Sequence, residues 1–84
     1  MSRGGVKVRW NLQQLKLQLQ ARVGRPITWE EIAEQAGLSQ NTLVNLNRNK
    51  TRRVDFDTLE SLIAYFRAQG MDVHVGDLIV AEAA

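Results

Sequence analysis

The pattern of apolar and polar positions predicts a series of short helices. Three leucines recur at the spacing of one helix face, with polar residues between them. They are Leu12, Leu15 and Leu19. Asn11 precedes this predicted helix as its N-cap, and the Gly-Arg-Pro sequence at residues 24–26 ends it. Before it, Val6–Trp10 alternates apolar and basic residues, which is the period of a short strand.

The next predicted helix has two start signals. Thr28 and Glu31 have the spacing of a capping box, and Ile27 before the cap can pack against Ile32 in the helix. Gly37 ends the helix, because glycine adopts the left-handed conformation that a helix terminus favours.

Two further helices and a final turn follow. Ser39 is the expected N-cap of "QNTLVNLNRN", and Asp55 is the expected N-cap of "FDTLESL". The broad apolar face of the latter helix is formed by Phe56, Leu59, Leu62, Ile63 and Phe66. The segment "HVGDLI" predicts one more helical turn, in which Leu78 and Ile79 cover the end of the core. Residues 79–82 then read as extended and can pair with Val6–Trp10, which gives an all-α bundle of four to five short helices with a minor strand pair.

The composition excludes several classes of protein. The 84 residues are enough for one small domain, and the absence of cysteine excludes disulfides and thiolate zinc sites. His74 is the only histidine, and no spacing of Ser, His and Asp suggests a catalytic triad, so we expect no metal, no cofactor and no enzyme. No apolar run approaches the roughly 20 residues of a membrane-spanning helix, and the first ten residues lack the apolar stretch of a signal peptide. We therefore expect a cytoplasmic protein without membrane contact.

The charge is distributed unevenly along the chain. The formal net charge is only +2, but residues 39–53 carry four basic side chains and no acid, whereas residues 54–84 are acidic. Such a polarity favours one face directed at a polyanion.

Residues 28–48 satisfy the requirements of a helix-turn-helix. Two helices with so short a connection cannot pack antiparallel and must cross steeply. A small residue is then needed where they touch, at Ala33, a glycine in the turn, at Gly37, and apolar residues between the helices, at Leu38, Leu43 and Leu46. We expect a flexible segment at residues 1–5, a single domain at residues 6–80 and a tail at residues 81–84.

These motifs resemble the Cro and phage-repressor (lambda repressor-like) helix-turn-helix family over about residues 10–79. The similar segments are "GLSQNTLVNL", the basic loop before "TLESL", and "VGDLI". The resemblance implies a small single-domain transcriptional regulator. One departure is Trp29, which stands where the family often has Gln. Trp29 has two interpretations: contact with DNA at the edge of the interface, or packing beside the first helix.

The third helix is the candidate recognition helix. Its outward face and first turn carry the side chains that we expect to contact bases: Gln40, Asn41, Thr42, Val44 and Asn45. Amides can donate to and accept from the edge of adenine in one plane, and threonine offers a methyl or a hydroxyl group. Asn47 faces the core instead, so we expect it to bond to backbone near the start of the fourth helix.

Phosphate contacts are expected at two helix starts and in the basic loop. Free N–H groups at a helix N-terminus bind anions, and Lys and Arg bind phosphates. The expected residues are Thr28, Trp29, Ser39, Arg48, Lys50, Thr51, Arg52 and Arg53.

The leading hypothesis is a sequence-specific double-stranded DNA-binding protein that inserts residues 39–49 in the major groove. We expect a homodimer, with Val6–Trp10 and residues 78–84 as the candidate pairing surfaces. Two alternatives stay open: an antitoxin-like protein that covers a partner, and a protein interaction module that keeps the fold without binding DNA.

Overall fold

A computed structural model of the chain describes residues 5–50, 53 and 55–83. Within these residues it has five helices and two strands. In chain order they are β1 (Val6–Trp10), α1 (Leu12–Val23), α2 (Trp29–Ala36), α3 (Gln40–Asn47), α4 (Phe56–Ala68), α5 (Val75–Leu78) and β2 (Ile79–Ala83). The predicted all-α bundle with a minor strand pair is confirmed.

Three helices begin at the N-caps that the sequence predicts. In each, the side chain of the cap accepts a hydrogen bond from the backbone N–H three residues later. The pairs are Thr28 with Glu31 (3.1 Å), Ser39 with Thr42 (3.0 Å) and Asp55 with Thr58 (2.7 Å). Each bond satisfies a backbone donor that has no partner within its helix.

Asn11 departs from its predicted role. It occupies the N-cap position of α1, but its side chain makes no capping bond. Its Nδ2 donates to the Asp77 carbonyl (3.3 Å) and its backbone N–H donates to the Leu78 carbonyl (2.7 Å). Asn11 therefore joins the start of α1 to α5, because the fold brings α5 close enough to compete for its side chain.

The core contains the predicted leucine and isoleucine faces. Its buried members are Trp10, Leu12, Leu15, Leu19, Ile27, Ile32, Ala33, Leu43, Leu46, Leu59, Leu62, Tyr65, Phe66, Val73 and Leu78. The prediction was wrong for Phe56, which is 77% exposed. Phe56 is the first residue of α4, and the buried part of that helix begins one turn later at Leu59.

The two strands form an antiparallel ribbon, which we call the β ribbon (β1 and β2). Its register pairs Val8 with Ala81 and Trp10 with Ile79. Side chains alternate between the faces of a strand, so one face is wholly apolar. That face comprises Val6, Val8, Trp10, Ile79, Ala81 and Ala83, and the other comprises Lys7, Arg9, Val80 and Glu82. β2 runs to Ala83, one residue beyond the extended segment 79–82 that the sequence predicts.

The Asp55 cap generates a prediction for acid stability. Hydrogen bonds from the backbone N–H and the hydroxyl of Thr58 hold the pKa of Asp55 below its ordinary value. The unfolded chain therefore takes up this proton at higher pH than the folded chain does. The resulting stabilisation is present above the ordinary carboxyl pKa and is lost as pH falls through the lowered pKa of the folded state.

Asp55→Asn keeps an acceptor oxygen for the cap but has no titrating group. We expect its melting temperature, followed by circular dichroism, to fall less on acidification than that of the unsubstituted chain. An equal fall in the two proteins would contradict this role of Asp55.

Candidate nucleic-acid interface

A tight turn sets the relation of α2 to α3. Gly37 has φ 75°, and both its N–H and that of Leu38 donate to the Ala33 carbonyl. A Cβ at Gly37 would meet no atom within 4 Å, so the backbone conformation, and not lack of space, selects glycine here. The chain needs only Leu38 and Ser39 to reach the start of α3.

The inner side of α3 is buried against the bundle. Leu43 and Leu46 are core residues, and α3 packs on both α2 and α1. Ala33 of α2 is buried as well, in agreement with the small residue expected there. Burial of this side leaves the opposite side of α3 facing outward.

The residues expected to contact bases all remain accessible. Gln40 and Asn41 are exposed in the first turn of α3, and Thr42, Val44 and Asn45 are half-buried behind them. Asn47 is half-buried. Residues 51, 52 and 54, part of the segment where its backbone partner was expected, lie outside the described residues.

Two hydroxyl groups at the start of α3 form a pair. The Oγ of Ser39 lies 2.6 Å from the Oγ1 of Thr42, and it also accepts the Thr42 backbone N–H. Only one of the two hydroxyl protons is used between them. Whichever residue donates, one O–H remains at the exposed Ser39 or the half-buried Thr42 for an external acceptor.

The start of α2 is tied to α1. Trp29 is half-buried against the core, and the Nζ of Lys16 lies 5.4 Å from the centroid of its ring, within cation–π range. The Oε1 of Gln20 accepts the Ile27 N–H (2.8 Å) and the Lys16 ammonium (3.3 Å). Of the two interpretations of Trp29, packing beside the first helix is what these contacts support. The sequence did not point to Lys16, because its contact joins two helices.

Arg25 forms an ion pair with Glu31, one of the acidic residues beside the N-terminus of α2. The guanidinium of Arg25 donates to both carboxylate oxygens of Glu31, at 3.0 and 2.6 Å. Hydrogen bonding from Arg25 lowers the pKa of Glu31. This corrects the predicted capping box: Thr28 accepts the Glu31 N–H, but the Glu31 carboxylate is bound to Arg25. The pairing reduces the repulsion that Glu31 would exert on a phosphate at the exposed Thr28.

The basic segment after α3 is accessible where it is described. Arg48 at the C-terminal end of α3, Lys50 and Arg53 are all exposed. Thr51 and Arg52, two of the expected phosphate contacts, lie outside the described residues.

Asn49 connects the end of α3 to β1. It has a left-handed backbone, φ 57°, which asparagine tolerates better than most residues. Its Oδ1 accepts the backbone N–H of Trp10 at 2.8 Å. This contact spans 39 positions and was not predicted from the sequence. The one available signal was an asparagine at the predicted end of the helix, where a left-handed residue is common.

Comparison with known families agrees with this geometry. The family model of the Cro/C1-type helix-turn-helix DNA-binding domain matches residues 24–84. The chain belongs to this family. The predicted resemblance is confirmed, and the family is one of DNA-binding domains. Comparison with curated proteins and with solved structures gave no significant match.

The described residues contain neither a metal-ligand cluster nor a membrane-spanning helix. In the part of the chain that the structure describes, no three of the residues His, Cys, Asp and Glu are grouped so that they could hold a metal ion. None of the described helices has both the length and the apolar character needed to cross a membrane.

The Asn49 contact is testable by unfolding. Asn49→Ala leaves the Trp10 N–H without its acceptor and places alanine in a left-handed conformation. We expect a loss of about 1–3 kcal/mol in the free energy of unfolding, measured in urea by tryptophan fluorescence. Asn49→Asp is the matched control, since it keeps an acceptor and tolerates this backbone. If both variants lose equal stability, the hydrogen bond is not the reason.

Proposed function

We propose that the chain is a sequence-specific double-stranded DNA-binding protein, acting as a transcriptional regulator with α3 in the major groove. The observation that carries this proposal is the exposed amide pair Gln40 and Asn41 in the first turn of α3. The N-terminal residues of a recognition helix approach base edges first. Asparagine there reduces helix propensity relative to Glu or Lys, so stability alone does not account for Asn41.

Base readout is assigned to the outward residues of α3. Gln40 and Asn41 can each bond in bidentate fashion to the N6 and N7 edge of adenine. Asn45 lies one turn after Asn41 and extends the same face, while Val44 and the methyl of Thr42 offer apolar contact to thymine.

Phosphate binding is assigned to groups that flank this face. The starts of α2 and α3, at Thr28 and Ser39, present backbone N–H groups and a positive dipole end. Arg48, Lys50 and Arg53 are exposed and, with Arg52, provide the cations after α3, while Thr51 adds a neutral hydroxyl that can bond to phosphate. In this scheme Trp29 borders the contact through the accessible part of its ring.

Binding measurements with selected DNA separate the two kinds of contact. We would select preferred sequences from a random duplex library and then measure affinity across a salt series. Arg53→Ala should weaken all duplexes alike and reduce the salt slope by about 1. Gln40→Ala and Asn41→Ala should each cost about 1–3 kcal/mol on the selected sequence and relax the preference at one or two positions.

Gln13→Ala is the matched control for Gln40→Ala, because Gln13 is an exposed glutamine on α1. An unchanged selection after joint replacement of Gln40, Asn41 and Asn45 would refute the base readout. No binding at low salt would refute the DNA-binding function in this chain and favour the alternative of a protein interaction module.

We further propose that the chain pairs as a homodimer through the apolar face of the β ribbon. The two candidate pairing segments form one surface, because β1 and β2 are hydrogen-bonded neighbours. On it Val6 is 70% exposed and Val8 is 53% exposed, and this face continues into the core at Trp10. A single two-stranded ribbon is marginally stable, and its strands have free edges. A second copy packed on the apolar face would stabilise the ribbon and bring two recognition helices together.

The dimer is tested by joint replacement of Val6 and Val8 with threonine, which keeps the β-branched shape and removes apolar surface. We expect the dimer dissociation constant to rise at least about tenfold by sedimentation equilibrium, since one tenfold change corresponds to about 1.4 kcal/mol. Val75→Thr, at an exposed valine of α5, is the control. A monomeric unsubstituted chain at high concentration would refute the dimer.

A further inference from the structure

A groove lies between β1 and the end of α3, where Arg48 is the one lining residue that it shares with the phosphate contacts proposed above. Its volume is about 400 Å³. Its lining consists of Lys7, Val8, Arg9, Arg48, Asn49 and Glu82. Three of these side chains are cationic and one is anionic, so the groove is basic.

The fold holds these cations beside α3. Lys7 and Arg9 alternate with apolar residues of β1 and therefore lie on the same face of the β ribbon. Trp10, the next residue, is anchored in the core, and its N–H is bound by Asn49. Asn49 directly follows Arg48, so this one hydrogen bond brings the basic side of β1 next to the basic end of α3.

Glu82 is the anion that faces these cations. Its Oε1 lies 2.9 Å from the Nε of Arg9, and it is the cross-strand partner of Lys7. Both members of the ion pair are exposed, at 39% and 51% of their side-chain surface. Exposed ion pairs are weak and screened by salt, so a phosphate group can replace Glu82 as the partner of Arg9.

We infer that this groove is a second phosphate-binding site, in which Lys7, Arg9 and Arg48 hold the sugar–phosphate backbone of DNA beside the far end of α3. The inference rests on the proposed DNA-binding function and extends the interface from the helix-turn-helix to the β ribbon. Glu82 then acts as an internal competitor that limits the affinity for any duplex.

The chemistry favours the backbone over bases at this position. Base contacts in this motif come from the N-terminal part of the recognition helix, whereas the groove adjoins its C-terminal end. Arginine matches the oxygens of a phosphate with two parallel N–H groups, and lysine supplies a point charge. Lys7 and Arg9 lie on the charged face of the ribbon, whereas the opposite apolar face, from which Val8 alone lines the groove, is the one assigned to the second copy.

Two substitutions of opposite sign test the groove in the full chain. Lys7→Gln should weaken binding to a selected and to an unrelated duplex alike, on the order of tenfold, and lower the salt slope by about 0.9. Glu82→Gln should tighten binding to both duplexes and leave the selected sequence unchanged. Glu60→Gln is the matched control, since it removes the same charge from an exposed position on α4 outside the groove. The melting temperature and sedimentation of each variant verify that fold and oligomeric state are unchanged.

The outcomes separate this inference from the proposed function. If Lys7→Gln leaves affinity and salt slope unchanged while Gln40→Ala still alters the preference, the groove is refuted and DNA readout by α3 stands. If Glu82→Gln and Glu60→Gln tighten binding equally, the effect is one of overall charge and the groove is again refuted. If the unsubstituted chain binds no duplex at low salt, the proposed function fails, and the groove with it.

Discussion

Leu43 and Leu46 are buried beneath α2 and α1, and this burial fixes how α3 is oriented on the bundle. These two side chains hold a helix of eight residues against the bundle, although a free helix of that length is not stable in water. Once they are buried, the opposite side of α3 faces outward, and Gln40 and Asn41 become accessible together. The left-handed Gly37 makes this arrangement possible, because it lets the chain turn from α2 into α3 within residues 37–39.

The hydrogen bond from Trp10 to Asn49 extends this arrangement to the β ribbon. The backbone of β1 is attached to the residue that follows the end of α3, so strand and helix are parts of one surface. The ribbon has two chemically different faces as a direct result of its alternating sequence. One face is apolar and continues into the core, and the other carries Lys7, Arg9 and Glu82. The proposed second copy and the proposed DNA backbone contact therefore use chemically different faces of one ribbon.

Much of the fold could be predicted because its determinants are local. The caps at Thr28, Ser39 and Asp55 and the terminator at Gly37 depend on residues within four positions of each other, and all four are observed. Local patterns misled where a distant group competed for the same atoms. Asn11 bonds to Asp77 and Leu78 instead of its own helix, and the carboxylate of Glu31 bonds to Arg25 instead of Thr28. Phe56 is a different case, because it lies before the buried part of α4.

The helices, their order, the turn between α2 and α3, and the outward amides of α3 follow from the amino-acid sequence, since spacing and propensity act along the chain. Which separate segments meet depends on the packed fold. Lys16 lies over Trp29, Asn49 accepts the Trp10 N–H, and Lys7 and Arg9 adjoin Arg48. Such contacts depend on how whole helices and strands pack against each other. This packing is determined by the shared hydrophobic core, because the residues that meet at the surface of the bundle contribute little to it.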